Sequence, residues 1–162
     1  MRTTKINVYQ FKELKPEIQE KVLNRFRENE EFYFLSDMLN EHLTYLLEKN
    51  KIKSLEEIKL YYNLGYSQSD YLVFEGLFKH KGFITRITER QQYPLIESNK
   101  ENDKEITEKE EEKLIKIYND LMYELKKYGY SLIDETLEDQ NIKENIEINE
   151  YEFLENGDIF LK

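Results

Sequence analysis

A chain of 162 residues, 39% hydrophobic and 14% aromatic, carries enough apolar material for a core of ordinary domain size. It has no cysteine, which excludes disulfides, thiolate nucleophiles and cysteine-based metal sites. Its net charge of −10 disfavours sequence-independent binding to nucleic acid, because such binding rests on Lys and Arg neutralising phosphates.

The opening MRTTKINVYQF lacks the apolar stretch of a signal peptide. No apolar run approaches the roughly eighteen residues of a membrane span. The expectation is a protein without a membrane segment, working in the cytoplasm. Lys5–Phe11 alternates in polarity and predicts a first strand. Pro16 suits the first position of a helix, and Ile18, Val22, Leu23 and Phe26 follow at helical spacing. Phe34, Leu35, Met38, Leu39, His42, Leu43, Leu46 and Leu47 predict a second helix that stops near Asn50.

Ile58 to Tyr66 alternates as a half-buried strand, and Ser67-Gln68-Ser69-Asp70 reads as a polar turn. Leu72, Phe74, Gly76 and Phe78 share one face of the next strand. His80-Lys81-Gly82 is a further turn, followed by a third strand over Phe83–Thr88. Gln91 to Asp103 is polar, contains Pro94 and reads as a loop. Thr107 with Glu110 forms a capping box for a helix whose apolar stripe runs from Leu114 to Tyr128 and whose end is marked by Gly129. A shorter helix is expected from Leu132 towards Ile142. A hairpin over Tyr151–Leu154 and Ile159–Leu161, turning at Asn156-Gly157, closes the chain. The predicted order is βααβββααββ. This is an α+β fold, with an antiparallel sheet and paired helices packed on one face, forming a single domain over 1–162 with a flexible polar loop near 91–104.

Chemistry-bearing motifs are sparse. His42 falls on an apolar helical stripe and reads as a core-edge histidine, while His80 falls in a turn and reads as solvated. Neither has the setting of a triad or of a zinc site. The five glycines are scattered, so no phosphate loop exists. Asp70 and Glu75 flank the central hairpin and could bind a divalent ion or move protons, but each has a simpler use as a turn former or an outward strand residue. No catalytic residue, metal or cofactor is assigned, and the chain is read as a non-enzyme. Tyr61, Tyr62, Tyr66 and Tyr71 cluster on the hairpin, with Lys53, Lys59, Lys79, Lys81, Arg86 and Arg90 around it. That combination suits an interface anchor or base stacking. From Asp134 to Asp158 there are ten acids against the single base Lys143, a segment able to meet a basic surface.

YNLGYSQSDYLVFEG resembles a hairpin motif of small phage and prophage proteins, in which a YSxGDG-like turn precedes an apolar strand. VYQFKELKPEIQEKVLNRF and INEYEFLENGDIFL resemble the opening and the terminal hairpin of the same group, so the likeness touches both ends and the centre. Here Ser69 and Tyr71 stand where the motif has glycines. Such proteins are sometimes labelled antitoxin-like and supply no catalytic residues to carry over. The resemblance, together with the charge, implies a mobile-element protein that binds and inhibits a bacterial defence protein, such as a CRISPR effector, in the host cytoplasm. Its contact residues would be Tyr61, Tyr66, Asp70, Tyr71 and Glu75 on the hairpin and Glu138, Asp139, Glu144 and Glu147 on the acidic segment. The alternatives are an antitoxin that neutralises a toxin protein, a nucleic-acid module using the tyrosine hairpin and its lysines, and, last, an enzyme using Asp70 and Glu75.

Overall fold

The computed structural model describes residues 5–102 and 104–160. Along them run β1 (Tyr9–Gln10), α1 (Pro16–Glu28), α2 (Leu35–Lys49), β2 (Lys53–Ser54), β3 (Lys59–Asn63), β4 (Tyr71–His80), β5 (Phe83–Arg90), β6 (Tyr93–Lys100), α3 (Glu108–Thr136), α4 (Asp139–Ile148) and β7 (Glu152–Phe153). The fold is mixed α+β and its strand pairs are antiparallel, as the sequence predicts. The element order differs, being βααβββββααβ. The chain divides into two compact units where the sequence reading has one domain. Unit 1 takes the described residues of Met1–Phe32 and Leu132–Lys162, and unit 2 takes Tyr33–Ser131. Of the helices, α1 and α4 belong to unit 1, and α2 with most of α3 to unit 2.

In unit 1 the expected first strand shrinks to Tyr9–Gln10, because Phe11–Glu13 winds into a 3₁₀ turn closed by a bond from Gln10 N–H to Glu13 Oε2 (2.7 Å). Pro16 begins α1, where its missing N–H costs nothing. β1 pairs with β7 through Tyr9↔Phe153 and Gln10↔Glu152. Around Phe153 gather Phe11, Leu14, Val22, Leu23, Ile142 and Ile146, all buried. The terminal turn is held by Gly157 N–H to Leu154 O (2.9 Å) and Leu154 N–H to Asp158 O (2.8 Å). Gly157 has φ +86°, and a Cβ there would lie 2.9 Å from Ile18 Cγ2. The turn needs glycine for both reasons. Of the expected last strand only a bridge, Phe153↔Ile159, is present, and Leu161 lies outside the described residues.

In unit 2, β4 is the spine of the sheet. It pairs with β3 through Tyr71–Glu75, with β5 through Gly76–His80, and with β2 at Phe78 and Lys79. Leu72, Phe74 and Phe78 are buried on the face the alternation assigned to them. Phe78 touches both Phe74 and Tyr118 of α3, with ring centroids 5.5 and 5.7 Å apart.

The segment expected to be a flexible loop is instead β6, in register with β5 from Arg90↔Tyr93 to Phe83↔Lys100. The two-residue turn between them is Gln91-Gln92, both at positive φ (52° and 73°), which is the geometry of a type I′ hairpin. Neither residue gives the glycine or asparagine signal of that turn. Pro94 is tolerated because β6 lies at the edge of the sheet. The second correction concerns Gly129. It does not end α3, which continues to Thr136. A Cβ at Gly129 would lie 2.5 Å from Leu64 Cδ1 and 3.3 Å from Leu39 Cδ2, so its small size serves packing. α2 closes in a Schellman motif, with Lys51 N–H to Glu48 O and Ile52 N–H to Leu47 O both at 2.9 Å and Lys51 at φ 55°.

Candidate functional site

The turn after β3 is built around Asp70. Its Oδ2 accepts from Gly65 N–H (3.0 Å) and from the Tyr130 hydroxyl, and its Oδ1 accepts from the Ser67 hydroxyl (2.8 Å). The Tyr130 hydroxyl, then Ser67 and the turn backbone, hold this carboxyl far below the usual carboxylate range. Desolvation and the adjacent carboxylate push Tyr130 up to about 12. Lys126 Nζ donates to Asp70 O at 2.6 Å and lies 5.9 Å from the Tyr130 ring centroid.

Tyr66, 60% exposed and at φ 56°, lays its ring 4.7 Å from that of Tyr130. Positive φ at a bulky residue is a backbone strain that concentrates at binding and switch regions. On α3 the residues Tyr123, Lys126 and Tyr130 recur at i, i+3 and i+7, which places them along one side of the helix. Tyr71, Val73, Gln92, Pro94, Tyr123 and Lys126 line a shallow recess of about 210 Å³, and Tyr123 is 72% exposed. The hairpin and α3 thus form one aromatic surface. The sequence reading chose Tyr66 and Tyr71 for it and missed Tyr123, Lys126 and Tyr130. Their i, i+3, i+7 spacing was the available signal, overshadowed by the apolar stripe.

Glu75 and Tyr61 belong to a second network. Glu75 Oε2 accepts from the Tyr61 hydroxyl (3.0 Å) and Oε1 from Glu89 N–H (2.8 Å). The bond to Glu75 raises the Tyr61 pKa. Asp70 and Glu75 therefore organise separate networks, each with both carboxylate oxygens hydrogen-bonded. Among the described residues no group of three or more His, Asp and Glu side chains could hold a metal ion.

The acidic segment meets its own counter-charges. Unit 1 contains sixteen Asp and Glu against nine Lys and Arg, which puts −7 of the chain's −10 there. α1 and the turn before it supply several of those bases. Asp139 binds Arg27, Glu147 binds Lys12 (2.6 Å) and Asp158 binds Arg25 (2.8 Å). Glu144 accepts from Gln140 (2.7 Å), and Glu138 occupies the N-cap position of α4. Glu147 also borders a recess of about 540 Å³ shared with Lys12, Glu150 and Tyr151. Partners more than a hundred residues away in sequence were invisible to the segment count.

His42 is half-buried and stacked on Tyr128, with centroids 3.9 Å apart, and burial lowers its pKa. His80 is not solvated as expected. It is 6% exposed, with Nδ1 3.4 Å from Lys51 O, because it ends β4 on the core side. Of the bases, Arg86 grips Glu56 with two bonds (2.7 and 3.2 Å), and Lys79 pairs with Glu101.

Among the described residues no helix is long and apolar enough to cross a membrane. Comparison with protein-family models, curated proteins and solved structures finds no match to this chain.

Proposed function

We propose that this chain is a binding protein of a mobile genetic element that inhibits a bacterial defence protein, of the CRISPR-effector kind, by covering part of its surface in the host cytoplasm. The observation that carries the reading is the tyrosine surface of unit 2. Tyr66 and Tyr123 stand largely exposed beside Tyr71, Tyr130 and a shallow recess, on a turn fixed by Asp70. Exposed tyrosines on rigid elements are favoured anchors, since a phenol ring gives large contact area for little lost conformational freedom. The residual acidity of unit 1 supports steering towards a basic partner. Pairing of Asp139, Glu147 and Asp158 with α1 bases makes that contribution smaller than the sequence count suggests.

The test is interference. The chain is expressed in bacteria carrying an active CRISPR system, and plating of a targeted phage is scored. Restored plating is expected, with loss of the effect in Tyr66→Ser combined with Tyr123→Ser at unchanged melting temperature. Undiminished interference across the major CRISPR types would refute the inhibitor reading. Rescue of growth from a co-expressed toxin would favour an antitoxin instead.

A further inference from the structure

Asn156-Gly157 is the one Asn-Gly pair in the chain. Asparagine is chemically labile, and most so before glycine. The main-chain nitrogen of the following residue attacks the side-chain carboxamide carbon, and glycine has no side chain to hinder the approach. The new N–C bond closes a five-membered succinimide, and ammonia leaves. Water then opens the ring to aspartate, or to isoaspartate, in which the main chain runs through the former side chain. Water is the only co-reactant.

The terminal turn of unit 1 holds each reacting group out of position. Gly157 N–H, whose proton must be lost, donates to Leu154 O at 2.9 Å. The Asn156 carboxamide is tied at both ends to Asp158: Nδ2 donates to Asp158 Oδ2 (2.8 Å) and Oδ1 accepts from Asp158 N–H (3.1 Å). Attack requires the carboxamide to rotate towards Gly157 N, so these three bonds must break. α1 clamps the same residues. Lys21 Nζ donates to Asn156 O (3.2 Å), Arg25 Nη1 to Gly157 O (3.1 Å) and Arg25 Nη2 to Asp158 Oδ1 (2.8 Å). Asn156 is exposed to water, while Gly157 is buried against Ile18 and Val22.

We propose that Asn156 is a guarded deamidation site, which converts only when the terminal turn opens and which then keeps that turn from closing as before. The rate in the native protein is the rate of the open chain multiplied by the fraction of time the turn is open. The products do not fit the native bonds. Aspartate replaces the Nδ2 donor by an oxygen and sets a second carboxylate against Asp158. Isoaspartate lengthens the main chain by a methylene inside the loop closed by the Gly157 N–H to Leu154 O and Leu154 N–H to Asp158 O bonds. Conversion thus records an opening of unit 1 irreversibly. This chemistry needs no partner.

The full chain is held for several days at mildly alkaline pH, in buffer and in unfolding guanidinium chloride, and then digested with trypsin. Fragment mass spectrometry, against an unincubated sample, scores the exchange of NH2 for OH in residues 144–162. Asn145 and Asn149, followed by Ile146 and Glu150, are slow internal controls in the same fragment. Asn156 should convert about tenfold or more slowly in buffer than in denaturant. Arg25→Gln, which loses a clamp on the turn, should raise the buffer rate severalfold and leave the denaturant rate unchanged. Asn156→Asp should lower the melting temperature more than Asn156→Ser, which removes the amide without adding charge. Circular dichroism checks that each variant is folded. Equal rates in buffer and denaturant would overturn the guarding, as would a buffer rate that Arg25→Gln leaves unchanged. An Asn156→Asp chain as stable as the Asn156→Ser chain would overturn the lasting effect on the turn.

Discussion

Replacing Gln91-Gln92 by Asn-Gly tests the least anticipated element of the fold. Both glutamines sit at positive φ in the turn that joins β5 to β6. An L residue in the left-handed region costs about 1–2 kcal/mol, most of which glycine avoids at position 92. Glycine returns about 0.5–1 kcal/mol through the greater freedom of the unfolded chain. Asparagine at position 91 adds a few tenths of a kcal/mol, because it tolerates this region better than glutamine. The bond from Gln92 N–H to Glu89 Oε1 (2.5 Å) is made by the backbone and survives the change. The net gain is about 1 kcal/mol, a rise in melting temperature of about 3 °C for a chain of this size. Thermal unfolding followed by circular dichroism reads it. Val-Val at the same positions should lower the melting temperature, since β-branched residues resist positive φ. A pair with no gain for Asn-Gly and no loss for Val-Val would refute the type I′ hairpin, and with it β6.

Gly157→Ala should destabilise unit 1 by about 3 kcal/mol, from left-handed strain plus the crowding of Ile18 and Val22, as measured in urea. Tyr118→Phe should be neutral or stabilising by about 1 kcal/mol. The Tyr118 hydroxyl is buried near Thr85, which bonds Ser98 at 2.9 Å, yet makes no hydrogen bond of acceptable geometry. Burial pushes that phenol up to about 12, so the fold is unaffected by its ionisation below pH 10 and loses stability as pH rises from there through about 12, a loss that Tyr118→Phe should abolish. Glu110 behaves oppositely. Lys100 (2.8 Å) and the Thr107 cap hold its carboxyl at about 2, so its contribution is full above its ordinary 4.5 and fades as pH falls towards about 2. Asp70 adds to the same acid-side loss. Near-ultraviolet circular dichroism of the tyrosines during acid titration should record both, and Glu110→Gln should remove the part due to Glu110.

The elements that announced themselves did so through local chemistry. The Thr107–Glu110 box, Pro16 at the start of α1, and the alternation that buries Leu72, Phe74 and Phe78 needed no distant partner. What was hidden depends on contacts far along the chain or on backbone states that side chains do not reveal. β6 was hidden by a glycine-free turn and by a proline that only an edge strand admits. The end of α3 was misplaced because Gly129 signals the same way whether it caps a helix or makes room for Leu64. For the candidate surface, Tyr66, Asp70 and Tyr71 were visible in a single stretch. Tyr123, Lys126 and Tyr130 join them only once α3 lies beside the turn. The acidic segment was visible as charge, but the pairing of Glu147, Asp158 and Asp139 with Lys12, Arg25 and Arg27 was not.

β4 and β5 stop pairing at Gly76↔Ile87, and beyond that rung the Glu89 N–H rests on the Glu75 carboxylate. One side chain thus closes a zipper that backbone leaves open. Beyond it the tip carrying Gln91 and Gln92 continues as β5 paired with β6, joined to β4 through that side chain. Amide hydrogen exchange at Glu89 should accelerate in Glu75→Ala while Thr85 stays protected, marking the rung at which a carboxylate takes over from backbone in tying the hairpin to its neighbour.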